Sequence, residues 1–162
     1  MAATIAADRP MLRFDLHPDR LDGSWVLDGN ADDGLGPGRL YVVVTPRPGD
    51  LTARPCGDPD FRQGGGCAEE VLPNGDRVVL RDRVTSHGVT TVLAVLIHPD
   101  RSGITAEASN FEIPIPPPAI TGGQRPPLVV SRTDPLYTAR ELGALVLAID
   151  VALRTGGVLP SN

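Results

Sequence analysis

The 18 glycines and 17 prolines of this 162-residue chain are unevenly placed, and that placement decides where regular structure can form. Most fall in four places: residues 29–38, residues 46–66, the turn at 73–75 and the tract at 114–127. Proline has no N–H to give to a ladder or a helix, and glycine loses the most backbone freedom on ordering. Strands and helices are therefore expected between these places, which act as spacers. The two residue types make up about 22% of the chain, short of the roughly 25–30% that marks low-complexity sequence, so a folded domain with long irregular connections is expected.

Between the spacers the pattern is mostly that of strands. Leu12–Leu16 alternates apolar and polar residues, and His17-Pro18-Asp19 is predicted to end it. Trp25-Val26-Leu27 follows, its Trp read as a core anchor rather than a ligand platform. Residues 28–38 read as a turn-rich loop, and Arg39–Thr45, a near-continuous apolar run, as a strand buried on both faces. Pro73-Asn74-Gly75-Asp76 is a strong turn signal. It leads into three predicted strands, Arg77–Arg81, Val89–Ile97 and Ile104–Phe111, the last two joined by a turn at His98–Gly103. One segment carries a helix signature. Thr138 and Glu141 have capping-box spacing, Leu142, Leu145, Val146, Ile149 and Leu153 recur at helical spacing, and Gly156-Gly157 supplies the stop. The predicted fold is α+β, a twisted antiparallel sheet (a meander) with one C-terminal helix packed on one face. Residues 11–157 are expected to form a single domain containing a Pro-rich connector at 113–127. Residues 1–10 read as a disordered lead-in and 158–162 as a tail.

Cys56 and Cys67 bracket a stretch rich in turn formers, so their side chains are easily brought together. A disulfide is the simplest use of the pair, two separate buried thiols being the alternative. Closing such a loop stabilises by roughly 3 kcal/mol in the chain-entropy picture. Structural zinc is not indicated, because the two cysteines lack Cys-x-x-Cys spacing and His17, His87 and His98 are scattered. A disulfide implies an oxidising compartment, hence export. No apolar run approaches the roughly 20 residues that cross a bilayer, and Met1–Pro10 is too short and polar for a signal peptide. Either the export segment lies outside this sequence or the protein is cytoplasmic.

Motifs for chemistry are weak. Asp28, Asn30 and Asp32 match the first alternating oxygen ligands of an EF-hand loop, but position six is Asp33 instead of Gly and position twelve is Arg39, leaving at most an irregular calcium site. Ser86-His87 has no nucleophile elbow around it, and Gly64-Gly65-Gly66 lacks the Lys and Ser/Thr of a phosphate loop. Asp58/Asp60 and Glu69/Glu70 are carboxylate pairs that could serve as acid and base, and they read more simply as solvated loop residues. His-Pro-Asp-Arg occurs at 17–20 and again at 98–101 with unlike flanks, as ordinary turn chemistry at two strand ends would give. No motif implies a catalytic residue or a cofactor.

With 15 Arg, no Lys and 20 acidic residues the net charge is -5, and the Arg are interspersed with acids. Nucleic acid is not an expected partner, since phosphate-backbone binding needs clustered cations. The cysteine-bounded loop, Leu72-Pro-Asn-Gly-Asp76, Ala106-Glu-Ala-Ser-Asn110-Phe, and Arg132-Thr-Asp-Pro135-Leu-Tyr-Thr138-Ala-Arg-Glu141-Leu occur in that order over residues 56–154. In this ordered set the chain resembles the extracytoplasmic domain of actinobacterial (Streptomyces-type) membrane proteins and lipoproteins. The absence of Lys, with abundant Arg, Gly, Pro and Val, fits a high-GC genome. The resemblance implies a cell-envelope domain that interacts or senses, with a protein or envelope component as partner and a membrane tether lying outside this sequence. It carries no catalytic residues across. Two other readings stand beside it. A small hydrolase would use carboxylates of residues 28–38 and 57–70 in a polar cleft with His87 or His98. A carrier would hold an apolar ligand between sheet and helix, in a cavity lined by Leu93, Val95 and Leu145.

Overall fold

A computed structural model of the chain describes residues 13–21, 23–49, 51, 56, 65–86, 88–112 and 129–156. The expected lead-in at 1–10, the connector at 113–127 and the tail at 158–162 lie outside the described residues. Seven strands form one antiparallel sheet: β1 (Arg13–Leu21), β2 (Ser24–Asp32), β3 (Pro37–Thr45), β4 (Cys67–Val71), β5 (Arg77–Ser86), β6 (Val89–Ile97) and β7 (Gly103–Ser109). Their spatial order is β1-β2-β3-β7-β6-β5-β4. Two meanders, β1–β3 and β4–β7, are thus zipped together by the pairing of β3 with β7, in which Val42 lies opposite Ala106. A two-stranded sheet follows, of β8 (Phe111–Glu112) and β9 (Val129–Val130), and the helix α1 (Ala139–Arg154) closes the described chain. The fold is α+β, as the sequence predicts.

Strand alternation sorts the core into two layers. On β6 the even residues Val92, Ala94 and Leu96 join Leu40 and Val42 of β3, Ile104 and Ala106 of β7, and the helix residues Leu142, Leu145, Val146 and Ile149. The odd residues Val95 and Ile97, with Val79 of β5, form a second cluster on the opposite face, against which Leu51, Cys56 and Leu93 pack. A strand side chain cannot serve both faces. Leu93 and Val95 therefore cannot line a cavity with Leu145, and the carrier reading loses its proposed site.

The helix follows the sequence closely. The Thr138 hydroxyl accepts from the Glu141 N–H while the Glu141 carboxylate accepts from the Thr138 N–H, so both halves of the capping box form. α1 lies across β5, β6 and β7. Gly143 in its buried face permits the close approach, since a Cβ there would meet Leu80 Cδ2 at 2.8 Å. Trp25 packs against the main core, as an anchor should.

Four expectations need correction. Residues 28–38 are a hairpin, not a loop: β2 runs to Asp32, residues 33–36 turn, and β3 starts at Pro37. Turn-forming residues stay extended here because each has a ladder partner, with Gly29 opposite Leu40 and Asn30 opposite Arg39. Pro18 does not end β1, because an edge strand tolerates a missing donor. Arg39–Thr45 is fully buried on one face alone, with Leu40, Val42 and Val44 inward and Tyr41 and Val43 half-exposed on the other. The strand predicted over Ile104–Phe111 breaks at Asn110, and Phe111 leaves to pair with Val130. β4 is an addition, an edge strand exposed at every residue and so without the alternation that would announce it.

Candidate functional site

At one end of the sheet three elements bring charged groups together. The turn before β5 supplies Asp76, the turn after β6 supplies His98, and the last turns of α1 supply Asp150 and Arg154. The first turn is built by Gly75, whose N–H donates to the Leu72 carbonyl, and by Asn74, whose side chain both accepts from the Asp76 N–H and donates to its carboxylate. The second is closed by the His98 N–H on the Ser102 carbonyl and the Arg101 N–H on the His98 carbonyl. Asp150 and Arg154 are one helical turn apart and pair at 2.8 Å.

Within the cluster His98 Nδ1 lies 3.0 Å from Asp76 Oδ1, and His98 Nε2 lies 3.3 Å from Asp150 Oδ1. Arg154 Nη2 stands 3.0 Å from both Asp76 Oδ2 and His98 Nδ1. Asp76 is buried, with 4% of its surface exposed, whereas the Arg154 side chain is 52% exposed. Beside the cluster opens a cleft of about 370 Å³, walled by Val44, Ile104 and Leu153 and carrying Thr45, His98 and Asp150.

Burial by itself raises the Asp76 carboxyl, but hydrogen bonds from His98 and Asn74 and the charges of His98 and Arg154 outweigh it, holding the group below the usual carboxylate range. A carboxyl lowered in the folded state contributes stability that is full above its unfolded value near 3.8 and is lost as pH falls through the folded one. The melting temperature is therefore expected to fall on acidification below about pH 4 more steeply in the parent than in Asp76→Asn. Parallel melting curves between pH 6 and 3 would show that the cluster does not hold the fold together.

The Asp76, His98 and Asp150 ligand atoms lie within 4.8 Å of one another. The two carboxylates, however, address opposite ring nitrogens, and Arg154 already engages an oxygen of each. What stands there is an ion-pair network tying the end of α1 to two turns.

Of the residues singled out for calcium, Asp28 and Asp32 already have protein partners. Asp28, Asn30 and Asp32 share one face of β2, where Asp28 makes a two-pronged pair with Arg39. Asp32 accepts from the Gly34 and Gly36 N–H groups, closing the turn. Arg39 also lies over the Tyr41 ring at 4.7 Å. Of the carboxylate pairs, Asp58 and Asp60 lie outside the described residues. Glu69 binds the Arg77 guanidinium and also accepts from the Cys56 N–H, and Glu70 stands exposed on β4. Ser86 ends β5 and His87 lies outside the described residues, while His17 sits in β1 in register with Asp28. The two His-Pro-Asp-Arg copies differ in structure, the first inside a strand and the second in a turn. Among the described residues the cleft at His98 is lined by none from 28–38 or 65–70, so the cleft expected of a hydrolase is not formed by them.

Sequence reasoning missed Asp150 and Arg154. The available signal was an i,i+4 acid–base pair interrupting the apolar stripe at the end of the helix, where a cation is favoured.

Cys56 and Cys67 are joined in a disulfide with Cα atoms 5.5 Å apart. Among the described residues no helix is long and apolar enough to cross a membrane. No protein family, curated protein or solved structure matches the chain.

Proposed function

We propose that this chain is an extracytoplasmic interaction or sensing domain of a cell-envelope protein, of the kind it resembles in actinobacterial membrane proteins and lipoproteins. The observation that carries this reading is the Cys56–Cys67 bridge, since cytosolic thiols are kept reduced and persistent structural disulfides belong to oxidising compartments. The bridge has a structural task, holding Cys56 against the Val79, Val95 and Ile97 cluster on the face of the sheet that the helix leaves uncovered. The carboxylates Asp28, Asp32, Asp33 and Glu69 are engaged in ion pairs and turn caps, which favours an interaction role over the hydrolase reading. The expected partner is a protein or another envelope component.

The test is alkylation of thiols in freshly lysed source cells, before and after reductant. No labelling is expected without reductant and two labels per chain with it. Reduction should also cost a little under about 3 kcal/mol in urea unfolding, because the closed loop is short. Two thiols labelled without reductant would overturn the compartment and the reading with it.

A further inference from the structure

We propose that the open edge of β4 is a docking site for an extended segment of another protein, added to the seven-stranded sheet as a further antiparallel strand and carrying a Lys or Arg opposite Glu70. Two hydrogen bonds fix which backbone groups that edge offers. The Leu72 N–H donates to the Asp76 carbonyl at one end of the β4–β5 ladder, and the Asp82 N–H donates to the Gly66 carbonyl at the other. Antiparallel ladders alternate with a period of two, so Ala68 and Glu70 direct their backbone groups at Leu80 and Val78 of β5. Cys67, Glu69 and Val71 turn their N–H and C=O groups outward, where no described strand pairs with them. All five residues of β4 are exposed, Val71 at 66%.

Edges of this kind are normally blunted by proline, lysine, a bulge or a covering element. β1, at the other end of the sheet, contains Pro18, which has no N–H to give. β4 has no proline, the chain has no Lys, and the β4–β5 register runs without a shift from Cys67 to Val71. What guards β4 is a pair of adjacent glutamates, and these discriminate between partners rather than closing the edge. A second copy of β4, paired antiparallel over the full strand, puts Glu69 directly opposite its own copy, and the next register toward the turn does the same with Glu70. Like charges so placed repel. A cationic strand meets the reverse. Glu69 is already held by Arg77, whereas Glu70, in register with Val78 on the helix side of the sheet, has no ion pair among the described residues. A Lys or Arg directly across from Glu70 completes a cross-strand pair, an aliphatic residue packs beside Val71, and the net charge of -5 draws a basic segment in. The disulfide anchors β4 through Cys67, so the edge is held in strand form before a partner arrives.

This inference deepens the interaction role proposed above and rests on it. Its test is read on the β4 amides alone, so failure here leaves the disulfide and its compartment, judged by thiol labelling, where they stand.

The experiment titrates the purified, oxidised full chain with the blocked peptide acetyl-Thr-Val-Arg-Thr-Val-Thr-amide, and with the same peptide bearing Glu in place of Arg, and reads amide hydrogen exchange by NMR. The Arg peptide is expected to bind saturably and to slow exchange at the Cys67, Glu69 and Val71 amides by at least about tenfold, leaving Ala68 and Glu70, already bonded to β5, unchanged. The Glu peptide should bind at least about threefold more weakly, and Glu70→Arg should reverse the order. Val71→Pro removes an outward N–H without touching the bonds to β5, and should abolish binding. N-methylation of the Thr that follows Arg blocks the same ladder from the peptide's side, on the unaltered protein, and should abolish binding too. Equal binding of the Arg and Glu peptides, or binding without protection of those three amides, would overturn the proposal. So would the absence of saturable binding, or protection of the same amides that rises with protein concentration alone, which would give the edge to a second copy.

Discussion

Replacing Gly103 by alanine is expected to destabilise the fold by about 4 kcal/mol, at the upper end of what single substitutions do. Gly103 opens β7 directly after the His98–Ser102 turn, with φ at 156°. A Cβ there would lie 2.0 Å from the Leu96 carbonyl oxygen and 2.8 Å from Leu51 Cδ2. The first obstacle is backbone, one pair from the turn end of the β6–β7 ladder, so it cannot be moved by a rotamer change. Relief requires shifting the turn, and the turn carries His98 into the ion-pair network. The control is Gly34→Ala. Its φ of 93° is also left-handed, but nothing lies within 4 Å of the added Cβ, so its cost should be near 1 kcal/mol. Urea unfolding of both variants separates strain from collision, and similar losses at the two positions would show that the β6–β7 turn yields easily.

The motifs behind the resemblance have a common use in the structure, as fold staples. The Leu72–Asp76 stretch makes the β4–β5 turn. Asn110 sits buried where β7 ends, its Oδ1 accepting from the Thr90 N–H at 2.8 Å and its Nδ2 donating to the Gly88 and Thr133 carbonyls. Arg132 donates to both carboxylate oxygens of Asp33 and to the Gly36 carbonyl, which ties the segment before the helix to the β2–β3 turn. That pairing is the main reason the Asp33 carboxyl lies below its ordinary range. Thr138 and Glu141 cap the helix. None of these residues lies in the wall of the cleft beside Asp150.

How far the fold is legible in the sequence depends on whether the signal is local. The helix, its cap, the Pro73–Asp76 turn and the central strands were readable because periodicity and turn chemistry act within a few residues. The pairing of β3 with β7 was not, since residues such as Leu40 and Ala108 meet only through the sheet, across the whole β4–β6 excursion. Residues 28–38 were misread for a related reason. Asp28, Gly29 and Asn30 have loop-forming preferences, but Asp28 gains a two-pronged partner in Arg39 and Gly29 a buried place opposite Leu40, and tertiary pairing overrides weak propensity. The candidate site was the least legible part. Asp76, His98, Asp150 and Arg154 come from three separated segments, and only the last two have a spacing that suggests contact.

Leu145→Ala should cost about 3–5 kcal/mol, because Leu145 is fully buried between α1 and the sheet and its removal leaves a cavity that rigid strands cannot close. Leu93→Ala, on the other face of the same sheet and only half-buried, should cost about 1–2 kcal/mol. The comparison tests the two-layer division itself. If the sheet separates the layers as strand parity requires, the double variant loses the sum of the two single losses to within about 0.5 kcal/mol. Reducing the disulfide should then sharpen the contrast. The Val79, Val95 and Ile97 cluster packs against Cys56, so with the bridge open the loss from Leu93→Ala should shrink while the loss from Leu145→Ala stays. A Leu145→Ala penalty that falls by more than about 1 kcal/mol on reduction would mean that the cysteine loop supports the helix face as well, and that the sheet transmits strain from one layer to the other.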